Sequence, residues 1–212
     1  KEFDELSNDV NSTVGVLKGY IAHESERMKK ELEYAHTIQL NSIPSTFPAF
    51  PERHDFDRCA NIESAKEVAG DFYDYCLVDD YHLMLLIADV SGKGIPAALY
   101  MMTAKTMLEG LVRSKLAPAE VLEQANEMLA HDNESSMFVT VWLAVIDLRT
   151  GHTVFANAGH NKPALARANT TYELIHQQVN MSIGFMGGIP YQNQEIDLRP
   201  GDALFLFTDG VT

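Results

Sequence analysis

The chain has 212 residues, 46% of them hydrophobic, and carries 30 acidic against 16 basic side chains for a formal net charge of −14. A length of this order buries one sizeable core, and the acidic balance argues against a nucleic-acid partner, which calls for a basic face. The longest apolar runs, 83–88 among them, are strand-sized and far short of the ~20 residues of a membrane span, so the sequence reads as soluble, with room for a membrane anchor in a segment upstream of residue 1.

Residues 1–42 form the first predicted element. No proline precedes Pro44, and Val10, Val14, Leu17, Ile21 and Met28 recur at spacings of four, three, four and seven, a heptad seam. Leu32 and Ala35 continue it after a shift of four, as in a stutter. Glu24 and Glu31 fall on the seam, so the expectation is a long helix that dimerises weakly by itself and transmits a signal into the domain behind it. The alternative is an amphipathic helix packing on its own domain.

Pro44, Pro48 and Pro51 end that helix, because three prolines in eight residues cannot continue it. Strands are predicted at 68–78 and 82–89, joined at Asp79-Asp80, then a helix from Pro96 to about Ser114 and a second opened by Pro118. The second carries Val121, Leu122, Ala125, Met128 and Leu129 on one face. Further strands follow near 137–147, 152–157, 164–167, 172–175, 194–198 and 203–208. Hairpins around a central helical pair indicate antiparallel sheets covered by helices, an α+β layered fold.

The chemistry-bearing residues are carboxylates. A turn centred on Asp79 and Asp80 opposes residues whose numbers sum to about 159 or 160, and Asp71 and Asp89, which sum to 160, are set face to face with Cβ atoms about 4.5–5.5 Å apart. Two like charges so placed repel unless one is protonated or a cation lies between them; a one-residue slip would put them on opposite faces instead. Asp89 ends an apolar strand and leads into Ser91-Gly92-Lys93-Gly94, and Asp209 follows another apolar strand in Thr208-Asp209-Gly210. Three aspartates at strand ends make an oxygen-only set suited to magnesium or manganese. Asp74, Asp147, Asp197 and Asp202 are read as turn or solvent-facing residues. The Gly92-Lys93-Gly94 loop lacks the spacing of a nucleotide P-loop, and Lys93 reads as a solvated loop residue. Eight histidines show no His-x-x-x-His pair for zinc, and Cys59 and Cys76 form no Cys-x-x-Cys, which fits a reducing cytoplasm.

Five stretches, in order, resemble the SpoIIE family within the metal-dependent (PPM) phosphatase superfamily. They are Glu-Val-Ala-Gly-Asp-Phe-Tyr-Asp at 67–74, Asp-Val-Ser-Gly-Lys-Gly-Ile-Pro-Ala-Ala-Leu at 89–99, Met-Phe-Val-Thr at 137–140, Asn-Ala-Gly-His at 157–160, and Pro-Gly-Asp at 200–202 running into Thr-Asp-Gly-Val-Thr at 208–212. A shorter likeness, Phe-Asp-Glu-Leu at 3–6, is to the close of a HAMP signalling domain and its linker helix.

The resemblance implies an α-β-β-α sandwich over 43–212 behind a signalling and dimerisation helix over 1–42. It implies a serine/threonine phosphatase acting on a phosphorylated regulatory protein, of the anti-sigma factor antagonist kind, in the cytoplasm. Two divalent cations, Mn2+ or Mg2+, would be held by Asp71, Asp89 and Asp209 with the backbone carbonyl of Val90, Asp89 bridging both, and a water shared between them would attack phosphorus. His160 is read as a structural turn residue. The family carries one more metal-binding aspartate in a segment beyond Thr212, so weak metal binding and little hydrolysis are expected of these 212 residues by themselves. The competing expectation is a catalytically silent module that binds a partner through the same surface.

Overall fold

The computed structural model describes residues 2–45, 50, 52–63, 68–131 and 133–211; Pro48, Pro51, Glu67 and Thr212, invoked above, lie outside them. The chain divides into two compact units, with the division between Ile38 and Gln39.

The described part of the first unit is helical, being most of α1 (Glu2–Ser42). Its seam residues Val10, Val14, Leu17, Ile21 and Met28 are all exposed. Glu24 and Glu31, the acidic interruptions, both reach Arg27 one turn away, and Glu26 reaches Lys30 at 3.3 Å. These are i,i+3 and i,i+4 pairs, each worth a few tenths of a kcal/mol, about 0.2–0.5.

The last turn of α1 belongs to the second unit. Gln39 clasps the backbone of Ala69 by donating from Nε2 to its carbonyl at 2.6 Å and accepting from its N–H at 3.1 Å. Ile43 is buried in the core beyond it.

The second unit is built on eight strands: β1 (Phe72–Leu77), β2 (His82–Val90), β3 (Val139–Asp147), β4 (His152–Ala158), β5 (Ala164–Ala166), β6 (Glu173–Leu174), β7 (Gln194–Asp197) and β8 (Ala203–Phe205). One antiparallel sheet runs β1-β2-β3-β4-β7 and a second β6-β5-β8. Helices α2 (Ile95–Arg113) and α3 (Pro118–Ala130) fill the connection between β2 and β3. Every predicted strand and helix has its counterpart; β1 is five residues shorter than predicted, β2 and β4 are one longer, and the other strands are one to three shorter.

Alternation along the central strands makes two cores. Met84, Leu86, Ala88 and Val90 of β2, with Val139, Val141 and Leu143 of β3, pack with the α2 and α3 stripes. Their neighbours Leu85, Ile87, Trp142 and Ala144 turn the other way and meet Leu165 and Leu204 of the second sheet and Ile175 just after β6. Trp142 stacks on Phe155 there, centroids 5.6 Å apart, and its indole donates to Gln177. The second unit is thus layered helix, sheet, sheet. Among the described residues, no helix of that unit covers the outer face of the second sheet, where Leu174 and Phe205 are exposed.

Two expectations need correction. Met128 is exposed, because the buried arc of α3 centres on Leu122, Ala125 and Leu129 and extends to Asn126 rather than toward Met128. Asp74 is no surface residue either. It points toward α2, where both it and Lys105 are buried, and Lys105 Nζ donates to its Oδ2 at 2.9 Å. A lone charge in that position would be costly; the partner sits 31 residues away in sequence and is invisible to local patterning.

Candidate metal centre

β1 and β2 pair with residue numbers summing to 160, from Leu77↔Leu83 to Phe72↔Ala88. Asp71, one residue before β1, therefore continues the ladder opposite Asp89. Period-two alternation then turns both carboxylates to the side of Leu85 and Ile87, toward the gap between the sheets. Asp89 is also the register partner of Thr140 on β3. The site is the open end of the sandwich, and both aspartates are partly buried there.

The two carboxyl groups share a hydrogen bond. Burial first, then that bond and the charge of Asp71, and finally the charge of Asp209 push the Asp89 carboxyl up to about 7. Two carboxylates this close resist joint ionisation, so a proton or a cation must lie between them. Thr208 donates from Oγ1 to Asp71 Oδ2 at 2.7 Å, which ties the residue before Asp209 to the β1 end of the site.

Asp209 is exposed and opens a short 3-10 turn, Asp209–Val211, four residues after β8 ends. It acts on Asp89 through its charge. Among the described residues, no three carboxylate, imidazole or thiol groups are gathered closely enough to hold an ion as placed. Asp71 and Asp89 are thus brought together, while Asp209 faces them at longer range.

Val90 is buried with its backbone at the same end. Gly70 lies against it: a Cβ at Gly70 would stand 2.8 Å from the Val90 carbonyl oxygen and 3.1 Å from its Cβ. Only glycine lets the two strands approach this closely beside Asp71 and Asp89. Ser91 extends the order, its N–H donating to the Phe138 carbonyl and its Oγ accepting from the Phe138 N–H. Lys93 is exposed in the following loop.

The donor chemistry fits a hard divalent cation: two oxygen donors in contact, a third carboxylate within electrostatic reach, and a main-chain carbonyl beside them. Sequence reasoning missed Thr208, Thr140 and Gly70, though all three sit inside or beside the quoted motifs. Their roles depend on which strands become neighbours.

The fold is that of PP2C phosphatase domains. The SiaA-PP2C domain of Pseudomonas aeruginosa superposes with a TM-score of 0.69 at 20% identity, over 88% of this chain and 73% of that one. The family model described as Stage II sporulation protein E (SpoIIE) matches residues 79–212, and the chain belongs to the SpoIIE family. It is similar to the phosphoserine phosphatase RsbU of Bacillus subtilis, 29% identical over 218 residues that cover 99% of this chain and 63% of RsbU. The phosphoserine phosphatase RsbP of the same organism is 30% identical over 188 residues, covering 86% of this chain and 45% of RsbP. The chain thus spans less than two thirds of the length of either relative.

Proposed function

We propose that this chain contains the phosphatase domain of a signal-controlled phosphoprotein phosphatase, which hydrolyses phosphoserine or phosphothreonine on an anti-sigma factor antagonist in the cytoplasm. The observation that carries the reading is the Asp71–Asp89 contact at the mouth of the sandwich, where Asp89 is held up to about 7. Likeness to two phosphoserine phosphatases supports it. In this reading 1–42 is a signalling and dimerisation helix and 43–212 the catalytic domain. No helix among the described residues is long and apolar enough to cross a membrane.

Asp71, Asp89 and Asp209, with the Val90 carbonyl, would hold two divalent cations, Mn2+ or Mg2+. When bound, the cations supply an acidified water and offset charge that develops on the phosphoryl oxygens. The chain's own part is placement. Thr208 fixes Asp71 by hydrogen bond, Gly70 brings the Val90 carbonyl alongside, and the ladder with β3 holds Asp89 in the middle. No side-chain nucleophile is required. The absence of an assembled ligand trio among the described residues favours, as a second reading, a module that binds its partner without hydrolysis.

Manganese-dependent hydrolysis of p-nitrophenyl phosphate by the full-length protein separates the two. Turnover that disappears with EDTA and returns with Mn2+ is expected; a well-folded protein with no turnover in saturating Mn2+ rejects the phosphatase reading.

A further inference from the structure

His160 has no part in the chemistry proposed above, yet it is buried beside the carboxylates that carry it. It is 5% exposed. Asn157, fully buried, clamps the turn that holds it by accepting the His160 N–H at Oδ1 (2.8 Å) and donating from Nδ2 to the His160 carbonyl (3.0 Å). Gly159 completes that turn at φ 75°, where a Cβ would stand 3.1 Å from the Ser182 nitrogen. The clamp fixes the backbone; it does not by itself account for where the ring goes.

The imidazole reaches across to β3. Nδ1 lies 2.9 Å from Thr140 Oγ1, and that hydroxyl is also 3.4 Å from the Asp89 carbonyl oxygen, Asp89 being its register partner. The other ring nitrogen, Nε2, is buried on the side of the Phe207 backbone. Burial holds the imidazole down at about 4, against the opposing pull of a hydrogen bond with the Phe207 backbone and of the charges on Asp71 and Asp209. A neutral ring therefore stands between Thr140 and the segment that leads to Asp209.

We infer that His160 is a positioning residue for the carboxylate site: held by the Asn157 turn, it sets Thr140 beside Asp89 through Nδ1 and braces the side where Asp71 and Asp209 lie. The inference rests on the reading that these carboxylates take a divalent cation. Groups that orient metal ligands without touching the metal change its affinity by about 10–100-fold when removed.

The test is calorimetric titration of Mn2+ into the full chain and into His160→Ala, His160→Asn, Thr140→Val and the His160→Ala/Thr140→Val double variant. Amide hydrogen exchange at Asp89 is read on the same proteins without metal. His160→Ala and Thr140→Val are each expected to weaken Mn2+ binding about ten-fold or more. The double variant should lose no more than the worse single, because both break one contact. His160→Asn keeps an amide atom where Nδ1 stood and should recover most of the loss. Exchange at Asp89 should quicken in the two single variants and in the double. Unchanged Mn2+ affinity with unchanged exchange in His160→Ala, or losses that multiply in the double variant, overturns the inference. Should His160→Ala fail to fold, Thr140→Val, which removes one hydroxyl at nearly constant shape, decides the matter by the same two readings. A chain that binds Mn2+ yet hydrolyses no phosphomonoester would sink the phosphatase reading alone, and the exchange comparison needs no metal.

Discussion

At Asp89, burial and two neighbouring carboxylates act in the same direction. The folded carboxyl sits at about 7 against an ordinary 3.8, so the metal-free fold keeps a proton that the unfolded chain has lost. Stability from this group is complete below the ordinary carboxyl range and is lost as pH rises through 7. His160 has the opposite sign: its folded value of about 4 lies below 6.5, so stability from this group is gained as pH rises between the two. The slopes oppose, and a single melting curve would hide both. The comparison that isolates Asp89 is Asp89→Asn against the parent in EDTA. The variant's advantage in urea unfolding should grow from about pH 4 to pH 7 and then level; an advantage independent of pH would show that Asp89 ionises freely. With Mn2+ the ranking should reverse, since only the parent binds the ion well, and Asp89→Asn should have no Mn2+-dependent hydrolysis. Gly70→Ala tests the close approach beside it. Its Cβ would meet the Val90 carbonyl oxygen at 2.8 Å, so a loss of about 1–3 kcal/mol in urea unfolding is expected, together with weaker Mn2+ binding by calorimetry.

Among elements, β1 and α2 are joined by a buried ion pair. Lys105 bonds to Asp74 at 2.9 Å and reaches Glu109 at 3.4 Å, and Glu109 in turn takes Arg113 at 2.7 Å. Asp74 Oδ1 also accepts the Tyr75 N–H. Removing one member leaves a buried charge without a partner, so Lys105→Ala should cost about 3–5 kcal/mol in urea unfolding. The paired change Lys105→Met with Asp74→Leu should recover much of that loss, because an apolar pair of similar volume needs no desolvated charge. A Lys105→Ala variant as stable as the parent would mean that water reaches Asp74.

For the whole molecule, the open question is what covers the seam of α1. Val10, Leu17, Ile21 and Met28 are each more than half exposed in the single chain, and Val14 is 41% exposed. A stripe of five apolar side chains at heptad spacing suits a parallel partner helix, and Arg27 already satisfies Glu24 and Glu31 within one helix. Deleting residues 1–30 should therefore halve the solution mass at micromolar concentration, as read by light scattering. A monomer both before and after deletion would remove the support for signalling through this helix.

Element type and order were legible in the sequence because they depend on local pattern. Alternation over 82–89, prolines at the first turns of α2 and α3, and the Asp79-Asp80 turn are properties of neighbours in the chain. The opposition of Asp71 and Asp89 could be derived for the same reason, since one tight hairpin carries its own register. What folding alone decided is long-range. Lys105 meets Asp74 because α2 crosses β1, Thr208 reaches Asp71 across 137 positions, and His160 meets Thr140 only after the Asn157 turn brings it over β3. Hydrogen bonds between distant segments leave no periodicity, so they emerge only when the two sheets close on each other and set which polar groups share a dry, crowded end.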